Sequence, residues 1–403
     1  MDNSIKNRFP IFVARPGLVY LDSGATALKP DTAIEAVSGY YRDLSANVGR
    51  GLYRTAEETS ARFETVRERA ARFVGADPEE IVFTRNTTEG INLLEYSLAD
   101  RVTEGDTIVV TALEHHSNFL PWKRLAKRSG TELRIVPFDI EGHLNPDSLR
   151  EHIDGRTKIF AFSAVSNVLG SVNDVTALIR AAKAINPGII TVVDAAQAAG
   201  HMAVDAREWD CDFLALSGHK MYGPTGVGLL YGKTALLRTL EPYQVGGGMI
   251  LDSTSETPVY MDAPQRFEAG TPDIAAVLGL EAAIGFVEEI GTDAIHSHEI
   301  ALATKAAKRL TETFGDSIRI LGPATRENGI ISFTMDGIHP HDIAQVLGER
   351  DICIRAGEHC ASPLHRELGI PASARASFSV YNTETDIDRL IEGLKGAVNL
   401  FKK

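Results

Sequence analysis

A lysine stands directly after an apolar run of the sequence, at a point where buried strands usually end. Lys220 lies in the segment SGHKMYGP (residues 217–224), which continues the apolar run 213–216. Lysine is seldom buried without a partner. An aldehyde cofactor would supply this partner by forming a Schiff base with the amine, and desolvation makes the amine more reactive. Ser217 and His219 could donate hydrogen bonds to a phosphate group of the cofactor. The alternative is a lysine that only extends its amine from a strand end into water.

An aspartate follows another apolar run, one strand-helix-strand step earlier in the chain. Asp194 ends the run 189–193 and lies 26 residues before Lys220, so both residues should reach the same edge of a sheet. A carboxylate there can pair with the protonated pyridine nitrogen of pyridoxal 5'-phosphate (PLP) and keep its ring an electron sink. Gln197 could hydrogen-bond the ring hydroxyl. An aspartate at a strand end is also a common helix cap, but the spacing to Lys220 favours the cofactor role.

Two further segments place polar side chains after apolar runs. Thr87 and Thr88 stand where a helix begins, and the free N–H groups and dipole of a helix N-terminus favour a phosphate; a plain helix cap is the alternative. His115 lies in a loop where its imidazole could stack on a flat ring, whereas His116 is as well suited to the surface. A His-His pair can suggest a metal ion. No carboxylate or thiolate at ligand spacing completes such a site, so we expect no metal.

One cysteine lies in a polar loop near the C-terminal end. Cys360 is part of RAGEHCASP (residues 355–363), bounded by glycine and proline. Cationic neighbours favour the thiolate form of a cysteine, and we expect Arg355, His359 and His365 to act in this way. The loop therefore predicts a nucleophile.

Seven apolar runs alternate with helical stretches between about residues 80 and 235. This alternation predicts a mostly parallel sheet between two layers of helices. The runs are 81–83, 108–110, 133–138, 159–162, 189–193, 213–216 and 227–231. Because ligands of open α/β sheets bind outside the carboxyl ends of the strands, we expect the polar segments described above to converge on one crevice.

The last third of the chain has a different pattern, which predicts a smaller α+β domain. A long amphipathic helix is expected over 297–314, strands near 330–335 and 352–355, and a final helix capped at Thr383. Arg375 introduces a further apolar strand and could offer its guanidinium to a substrate carboxylate. A surface arginine is the alternative.

Composition narrows the class of protein. The 403 residues, 44% of them hydrophobic, are enough for a large core and a second domain. The net charge of -13 disfavours nucleic acids and anionic membranes as partners, and no apolar stretch approaches the roughly 20 residues that span a bilayer, so a cytoplasmic location is expected. Three cysteines without CxxC spacing disfavour a disulfide framework. Cys211 and Cys353, in or beside apolar runs, suit structural roles.

These blocks, in this order, resemble the group II cysteine desulfurases of the SufS and CsdA kind, within the class V branch of fold-type I PLP enzymes. The resemblance is nearly full length and is carried by residues 20–25, 217–224, 266–272, 355–363, 375 and 381–383. It implies an N-terminal segment, 1–20, that packs with the small domain, a large PLP-binding domain, 21–285, and a small C-terminal domain, 286–403, with the cysteine loop.

The resemblance also implies a role for each candidate residue. Those that would bind PLP are Thr87, Thr88, His115, Asn167, Asp194, Gln197, Ser217, His219, Lys220 and Thr271, the last reaching in from the other subunit of a homodimer. The substrate carboxylate would be held by Asn167, Arg355 and Arg375. The catalytic residues would be Lys220, His115 and Cys360: Lys220 forms the Schiff base and moves the α proton, His115 stacks on the ring, and Cys360 accepts sulfur.

The implied reaction takes L-cysteine to L-alanine and leaves a persulfide on Cys360. Acceptor or scaffold proteins of iron-sulfur assembly, SufE/SufU-like or SufBCD-like, would then receive the sulfur. The family usually has His-His-Cys or Gln-His-Cys where this chain has Glu358-His359-Cys360. We expect Glu358 to tune thiol reactivity or acceptor choice.

Three other interpretations remain open at the level of sequence. A selenocysteine lyase would share all of these residues. A class V aminotransferase or epimerase would keep Lys220 and Asp194 without requiring a thiol at position 360. A non-enzymatic binding subunit would need neither Lys220 nor Cys360, so their presence disfavours it.

Overall fold

The structure, a computed structural model, describes residues 4–254 and 257–401. The helices in these ranges are α1 (Pro10–Ala14), α2 (Asp31–Gly39), α3 (Arg54–Phe73), α4 (Thr87–Ser97), α5 (Leu120–Ser129), α6 (Val175–Ile185), α7 (Thr234–Leu237), α8 (Ile274–Ile290), α9 (Thr292–Phe314), α10 (Pro340–Gly348), α11 (Ser362–Glu367) and α12 (Glu384–Phe401). None of them is long and apolar enough to cross a membrane.

The strands in the same ranges are β1 (Val19–Tyr20), β2 (Ile81–Thr84), β3 (Thr107–Thr111), β4 (Glu132–Val136), β5 (Thr157–Ser163), β6 (Ile190–Asp194), β7 (Phe213–Ser217), β8 (Gly228–Gly232), β9 (Ile250–Asp252), β10 (Val259–Tyr260), β11 (Ile318–Ile320), β12 (Ile330–Met335), β13 (Ile352–Cys353), β14 (Arg355–Gly357) and β15 (Ser373–Ser377). They form one large sheet and three smaller ones.

The large sheet has seven strands in the order β2-β8-β7-β6-β5-β3-β4, which confirms the predicted mostly parallel sheet. Strands β3 to β7 are parallel, whereas β8 is antiparallel to both of its neighbours. Only a turn and a loop connect β7 to β8, and a parallel return would need a crossover of a dozen or more residues. The predicted apolar run 133–138 extends beyond the end of the strand, since β4 ends at Val136.

The carboxyl ends of the parallel strands bring the candidate residues to one edge of the sheet. Strand β5 ends at Ser163, which lies opposite Asp194 at the end of β6. Asp194 in turn lies opposite Ala215 of β7, two residues before Ser217. All five residues of β6 and of β7 are buried, as expected for strands covered on both faces. The predicted convergence on one crevice is confirmed for these residues.

The C-terminal part of the chain forms a second sheet, antiparallel, in the order β11-β12-β15-β14. The predicted helix 297–314 begins five residues earlier, at Thr292, because Gly291 with its φ of 88° ends α8 and lets a new helix start. The predicted strand 352–355 divides in two: β13 pairs with β1 and β14 with β15. The final helix begins as predicted, after Thr383, whose N–H donates to Asp386.

An aromatic cluster fastens the N-terminal segment to both parts of the chain. The ring of Phe9 lies 5.6 Å from that of Phe286 in α8 and 4.8 Å from that of Tyr381. Tyr222, two residues after Lys220, joins the same buried cluster. The segment before residue 20 thus contacts the large sheet's helices as well as the C-terminal part. The predicted domain boundaries at 20 and 285 remain predictions.

Candidate active site

Lys220 lies in a 3-10 turn, 218–220, that follows β7 without a linker. Burial lowers the pKa of Lys220 to about 8, although the nearby carboxylate of Asp194 acts in the opposite direction. Asp194 is buried, and one of its oxygens accepts the N–H of Ala196 at 2.9 Å. Burial raises the pKa of Asp194, and the charge of Lys220 opposes that rise. The two candidate residues are therefore electrostatic neighbours, and the lysine amine loses its proton at a lower pH than an exposed lysine does.

Hydroxyl groups gather at the N-terminus of α4. The hydroxyl of Ser217 accepts the N–H of Thr87 at 2.9 Å and lies 2.8 Å from the hydroxyl of Thr87. The hydroxyl of Thr88 lies 2.6 Å from that of Ser117. The cap of α4 is Asn86, whose side chain accepts from Glu89, so the plain-cap alternative for the two threonines is wrong. Their hydroxyls stand at the N-terminus of a helix, whose dipole suits an anion.

His115 is held as a neutral imidazole. The N–H of Ser117 donates to Nδ1 of His115 at 3.1 Å, so the ring hydrogen resides on Nε2. Burial lowers the pKa of His115 to about 3, and the positive charge of Lys220 adds to the effect. A neutral flat ring at this position could stack on a second ring, and this role of His115 remains a prediction.

A buried carboxylate that the sequence reasoning missed anchors the loop of His115. Glu114 accepts hydrogen bonds from the side chains of Thr111, Asn118 and Ser163, and from the N–H of Ser163. Burial raises the pKa of Glu114 to about 7, even though these hydrogen bonds act to lower it. The signal was an acidic residue between an apolar run and a candidate histidine.

The segment 24–27 clamps two other predicted cofactor ligands. The side-chain amide of Gln197 donates to the carbonyl of Gly24 at 2.7 Å. The carbonyl of His219 accepts from the N–H of Ala27 at 3.0 Å and from the hydroxyl of Thr26 at 3.1 Å. Burial lowers the pKa of His219 to about 4, so its imidazole is neutral. The conformation of both residues thus depends on this early segment.

Two arginines from the C-terminal part share one carboxylate. Arg375, 2% exposed, donates from Nη1 to the carbonyl of Asn167 at 2.7 Å and from Nη2 to Asp22 at 3.4 Å. Arg355, 46% exposed, contacts the other oxygen of Asp22 at 3.2 Å. One carboxylate between two guanidinium groups leaves one positive charge, which matches one substrate carboxylate. Asp22 belongs to a segment recognised in the sequence but was assigned no role there.

The loop of Cys360 is held against the crevice by its main chain. Asn167 donates from its side chain to the carbonyl of His359 at 2.8 Å, and the N–H of His116 donates to the carbonyl of Cys360 at 2.7 Å. His359 and Cys360 have φ angles of 50° and 56°, a conformation that disfavours each non-glycine residue by about 1–2 kcal/mol. The thiol itself is exposed. His116, for which a surface position was considered, is half-buried and also contacts the hydroxyl of Ser362.

The prediction that cationic histidines lie beside the thiol is wrong. Burial lowers the pKa of His359 to about 2 and also lowers that of His365, so both rings are neutral near pH 7. Arg375, which interacts electrostatically with Cys360, supplies positive charge instead. Cys360 lies near enough to Lys220 and Arg375 to interact with both electrostatically, which places its loop beside the same crevice.

Thr271 does not join this cluster within the chain. It is exposed, and its hydroxyl accepts from the side chain of Asn47 at 3.3 Å. Of the other cysteines, Cys211 is buried in the main core, as expected for a structural residue, and Cys353 lies in β13, half-buried.

Comparison with known proteins identifies the family. The family model described as Aminotransferase class-V matches residues 19–390. The chain belongs to the class V aminotransferase family. It is 44% identical to a probable cysteine desulfurase of Streptomyces coelicolor over 392 residues, 95% of this chain and 93% of the relative. Within the family, the chain belongs to the cysteine desulfurases.

Solved structures agree with this placement. The apo structure of a cysteine desulfurase from Thermococcus onnurineus has a TM-score of 0.94 at 38% identity and covers all of this chain, with 98% of its own length matched. The cysteine desulfurase CsdA from Escherichia coli has a TM-score of 0.92 at 36% identity, with 100% and 99% of the two chains covered. The fold is therefore that of fold-type I PLP enzymes.

The cofactor of this family is PLP, and the crevice suits it. An amine of lowered pKa, a buried carboxylate and an anion-binding helix N-terminus meet at one edge of the sheet. Among the described side chains, Oδ1 of Asn167 and Nε of Arg375 are buried without a hydrogen-bond partner. Unpaired buried polar atoms are costly, and a polar group entering the crevice would supply the missing partners.

Proposed function

We propose that this cysteine desulfurase converts L-cysteine to L-alanine and receives the sulfur as a persulfide on Cys360. The observation that carries the proposal is the position of this thiol. Asn167 and His116 hold its loop at the crevice that contains Lys220 and Asp194. An aminotransferase needs no exposed thiol at such a place, whereas a desulfurase needs a nucleophile that reaches both the bound substrate and a later acceptor.

The residues that would hold PLP have distinct roles. Lys220 would bind its aldehyde carbon, Asp194 its pyridine nitrogen and Gln197 its ring oxygen, with His115 against the ring. The residues that would surround the phosphate are Thr87, Thr88, Ser217 and His219, with Thr271 from a second subunit. When bound, the cofactor supplies an electron sink that acidifies the α C–H bond of the substrate.

The chain's own groups then divide the work of the reaction. Arg375 and Asn167, with the more exposed Arg355, orient the substrate carboxylate. Lys220 would take and return the α proton, a role that its pKa of about 8 permits near neutral pH. The thiolate of Cys360 attacks the substrate sulfur, so that an S–S bond forms as the bond between Cβ and sulfur breaks. A proton added at Cβ completes alanine.

We further propose the setting in which this chemistry operates. The exposed thiol of Cys360 supports transfer of sulfur to an acceptor or scaffold protein of iron-sulfur assembly. The exposed position of Thr271 supports a homodimer in which this residue completes the partner's phosphate site. We also propose a cytoplasmic location, with which the three free cysteines are compatible because disulfides are rare there.

A single experiment tests the central proposal. The PLP-loaded protein is incubated with L-cysteine, and alanine is measured together with the mass of the peptide that contains Cys360. We expect alanine and a one-sulfur adduct, both lost in Cys360→Ala and both retained in the matched control Cys353→Ala. Alanine release that survives Cys360→Ala unchanged would instead indicate another class V reaction.

A further inference from the structure

A buried histidine links the main chain of Lys220 to a glutamate in the C-terminal part. Nδ1 of His201 lies 3.0 Å from both carboxylate oxygens of Glu299, and its Nε2 lies 3.2 Å from the carbonyl oxygen of Lys220. His201 is 5% exposed and Glu299 is 1% exposed. Neither residue belongs to the groups assigned above to the cofactor or the substrate.

The chemistry of the two partners determines which ring nitrogen of His201 carries a hydrogen at the Lys220 end of this contact. A carbonyl oxygen can only accept, so Nε2 of His201 carries a hydrogen and donates it to Lys220. On the other side, Nδ1 and the carboxylate of Glu299 face each other and must share one proton, because two bare acceptors at 3.0 Å would repel. Burial lowers the pKa of His201, but the ion pair and hydrogen bond with Glu299 outweigh it and raise the pKa overall. The direction of this shift agrees with the geometry, in which a proton lies between the two groups.

The backbone on either side leaves the contact little freedom. Gly200 has a φ of 82°, and a Cβ there would lie 2.5 Å from Cβ of Met221, so this segment packs directly against the residue after Lys220. Tyr222 follows with a φ of 67°, which is rare for an aromatic residue. Its ring lies 6.2 Å from that of His201. Glu299 reaches the contact from α9, which packs in the C-terminal core.

We propose that His201 is a positioning residue for Lys220. Its Nε2–H fixes the carbonyl, and with it the main chain, of the turn that presents the amine, and Glu299 fixes the orientation and the proton of the imidazole. The contact also connects the turn of Lys220 to α9. The position of the lysine therefore depends on how the C-terminal part packs. This inference rests on the proposed role of Lys220 as the cofactor lysine.

Two substitutions separate positioning from simple stabilisation. In His201→Gln the side-chain amide reaches the place of Nε2 and still donates to Lys220, but it loses Glu299. In His201→Asn the shorter amide occupies the place of Nδ1, keeps Glu299 and loses Lys220. A positioning role makes the asparagine variant the slower one. A purely structural role makes both variants alike, or makes the glutamine variant worse because it breaks the buried ion pair.

The measurement is the absorbance of the lysine-bound cofactor. PLP is added to the PLP-free proteins and the rate at which the visible band appears is recorded; the loaded proteins are then mixed with L-cysteine and the rate of the first spectral change is recorded. We expect both rates to fall about tenfold in His201→Asn, the effect of losing the hydrogen bond from the imidazole to the carbonyl of Lys220, and most of the rate to return in His201→Gln. Thermal unfolding should rank the two variants in the opposite order or equally. If the variant with the lower thermal stability is also the one with the lower rates, the inference is overturned.

A second pair of variants covers the case in which a change at 201 prevents folding. Glu299→Gln can donate to a bare Nδ1 while Nε2–H still reaches Lys220, so the rates should stay within about threefold of the parent. Glu299→Leu leaves the imidazole unsupported, and we expect it to slow both rates about tenfold. Rates unchanged in Glu299→Leu would refute the inference. Lys220→Ala is the control for the role of the lysine: if its visible band persists, the proposed function fails. If that band is lost while His201→Asn and Glu299→Leu both behave as the parent, the positioning role alone fails.

Discussion

In the PLP-free protein, Lys220 should lower the stability of the fold at neutral pH. Its pKa falls from 10.5 to about 8 on folding, chiefly through burial. A shift of one pKa unit corresponds to 1.36 kcal/mol, so protonated Lys220 disfavours the folded state by about 3 kcal/mol, or about 2 kcal/mol if water in the crevice screens the half-buried amine. Replacing Lys220 with methionine, which is similar in length and uncharged, should therefore stabilise the PLP-free protein by about 2–3 kcal/mol at pH 7.

The pH dependence of this difference has a definite sign. Below pH 8 the amine is protonated in both the folded and the unfolded chain, so the full cost is present. Between pH 8 and 10.5 the unfolded chain binds a proton that the folded chain has released, and the stability of the parent therefore rises with pH. Above pH 10.5 the cost has vanished. The advantage of Lys220→Met should shrink steadily from pH 8 to 10.5.

Urea unfolding of the two PLP-free proteins at pH 7 and at pH 10 measures this effect. Lys308→Met is the matched control, because Lys308 is 73% exposed and its replacement removes the same charge from an acidic protein. The control should show no comparable change. An advantage of Lys220→Met that is the same at both pH values, or a loss of stability at pH 7, would refute the assignment of Lys220 as a lysine whose charged form is disfavoured by the fold.

Three further predictions concern the arginines and the cysteine loop. Arg375→Lys should raise KM for L-cysteine about 10- to 100-fold, because a buried guanidinium hydrogen bond to the substrate carboxylate is lost. Arg355→Lys, at a half-exposed site, should change KM less than about fivefold. Equal effects of the two substitutions in an alanine-release assay would contradict this difference. Arg67 forms a buried ion pair with Glu268 at 2.7 Å. Arg67→Met should lower the free energy of unfolding in urea by about 3–5 kcal/mol, because the charge of Glu268 would lose its partner. A change below about 1 kcal/mol would contradict this. Glu358→Gln should change the alkylation of the Cys360 thiol or the response to an acceptor protein, because it removes a charge two residues from the thiol. Identical alkylation profiles and acceptor responses would show that Glu358 has no such role.

Much of the fold and part of the site follow from local patterns. The strands that carry Asp194 and Ser217 are short and apolar and end in polar residues, and parallel strands bring such ends to one edge. The helix start at residue 87 and the final helix after Thr383 also follow from local residue preferences. These predictions succeed because each depends on residues near one another in the chain.

The charges in the crevice do not follow from such patterns. The sequence suggested cationic histidines beside Cys360, but His359 and His365 are buried and neutral. The pKa of a histidine depends on the depth at which the folded chain buries it, and no local pattern records that depth. The same holds for Glu114, whose raised pKa reflects complete burial behind strand β5.

The sequence by itself determined which chemical groups are available: an aspartate at the end of one strand, a lysine after a later strand and a cysteine in a C-terminal loop. Tertiary structure alone decided how distant segments support them. Asp22 contacts arginines more than 300 residues away, and Glu299 holds a histidine behind Lys220 from a helix of the C-terminal part. Contacts across such separations arise only when the two parts of the chain pack together. The residues that carry the chemistry can therefore be read locally, whereas those that orient them depend on the packed fold.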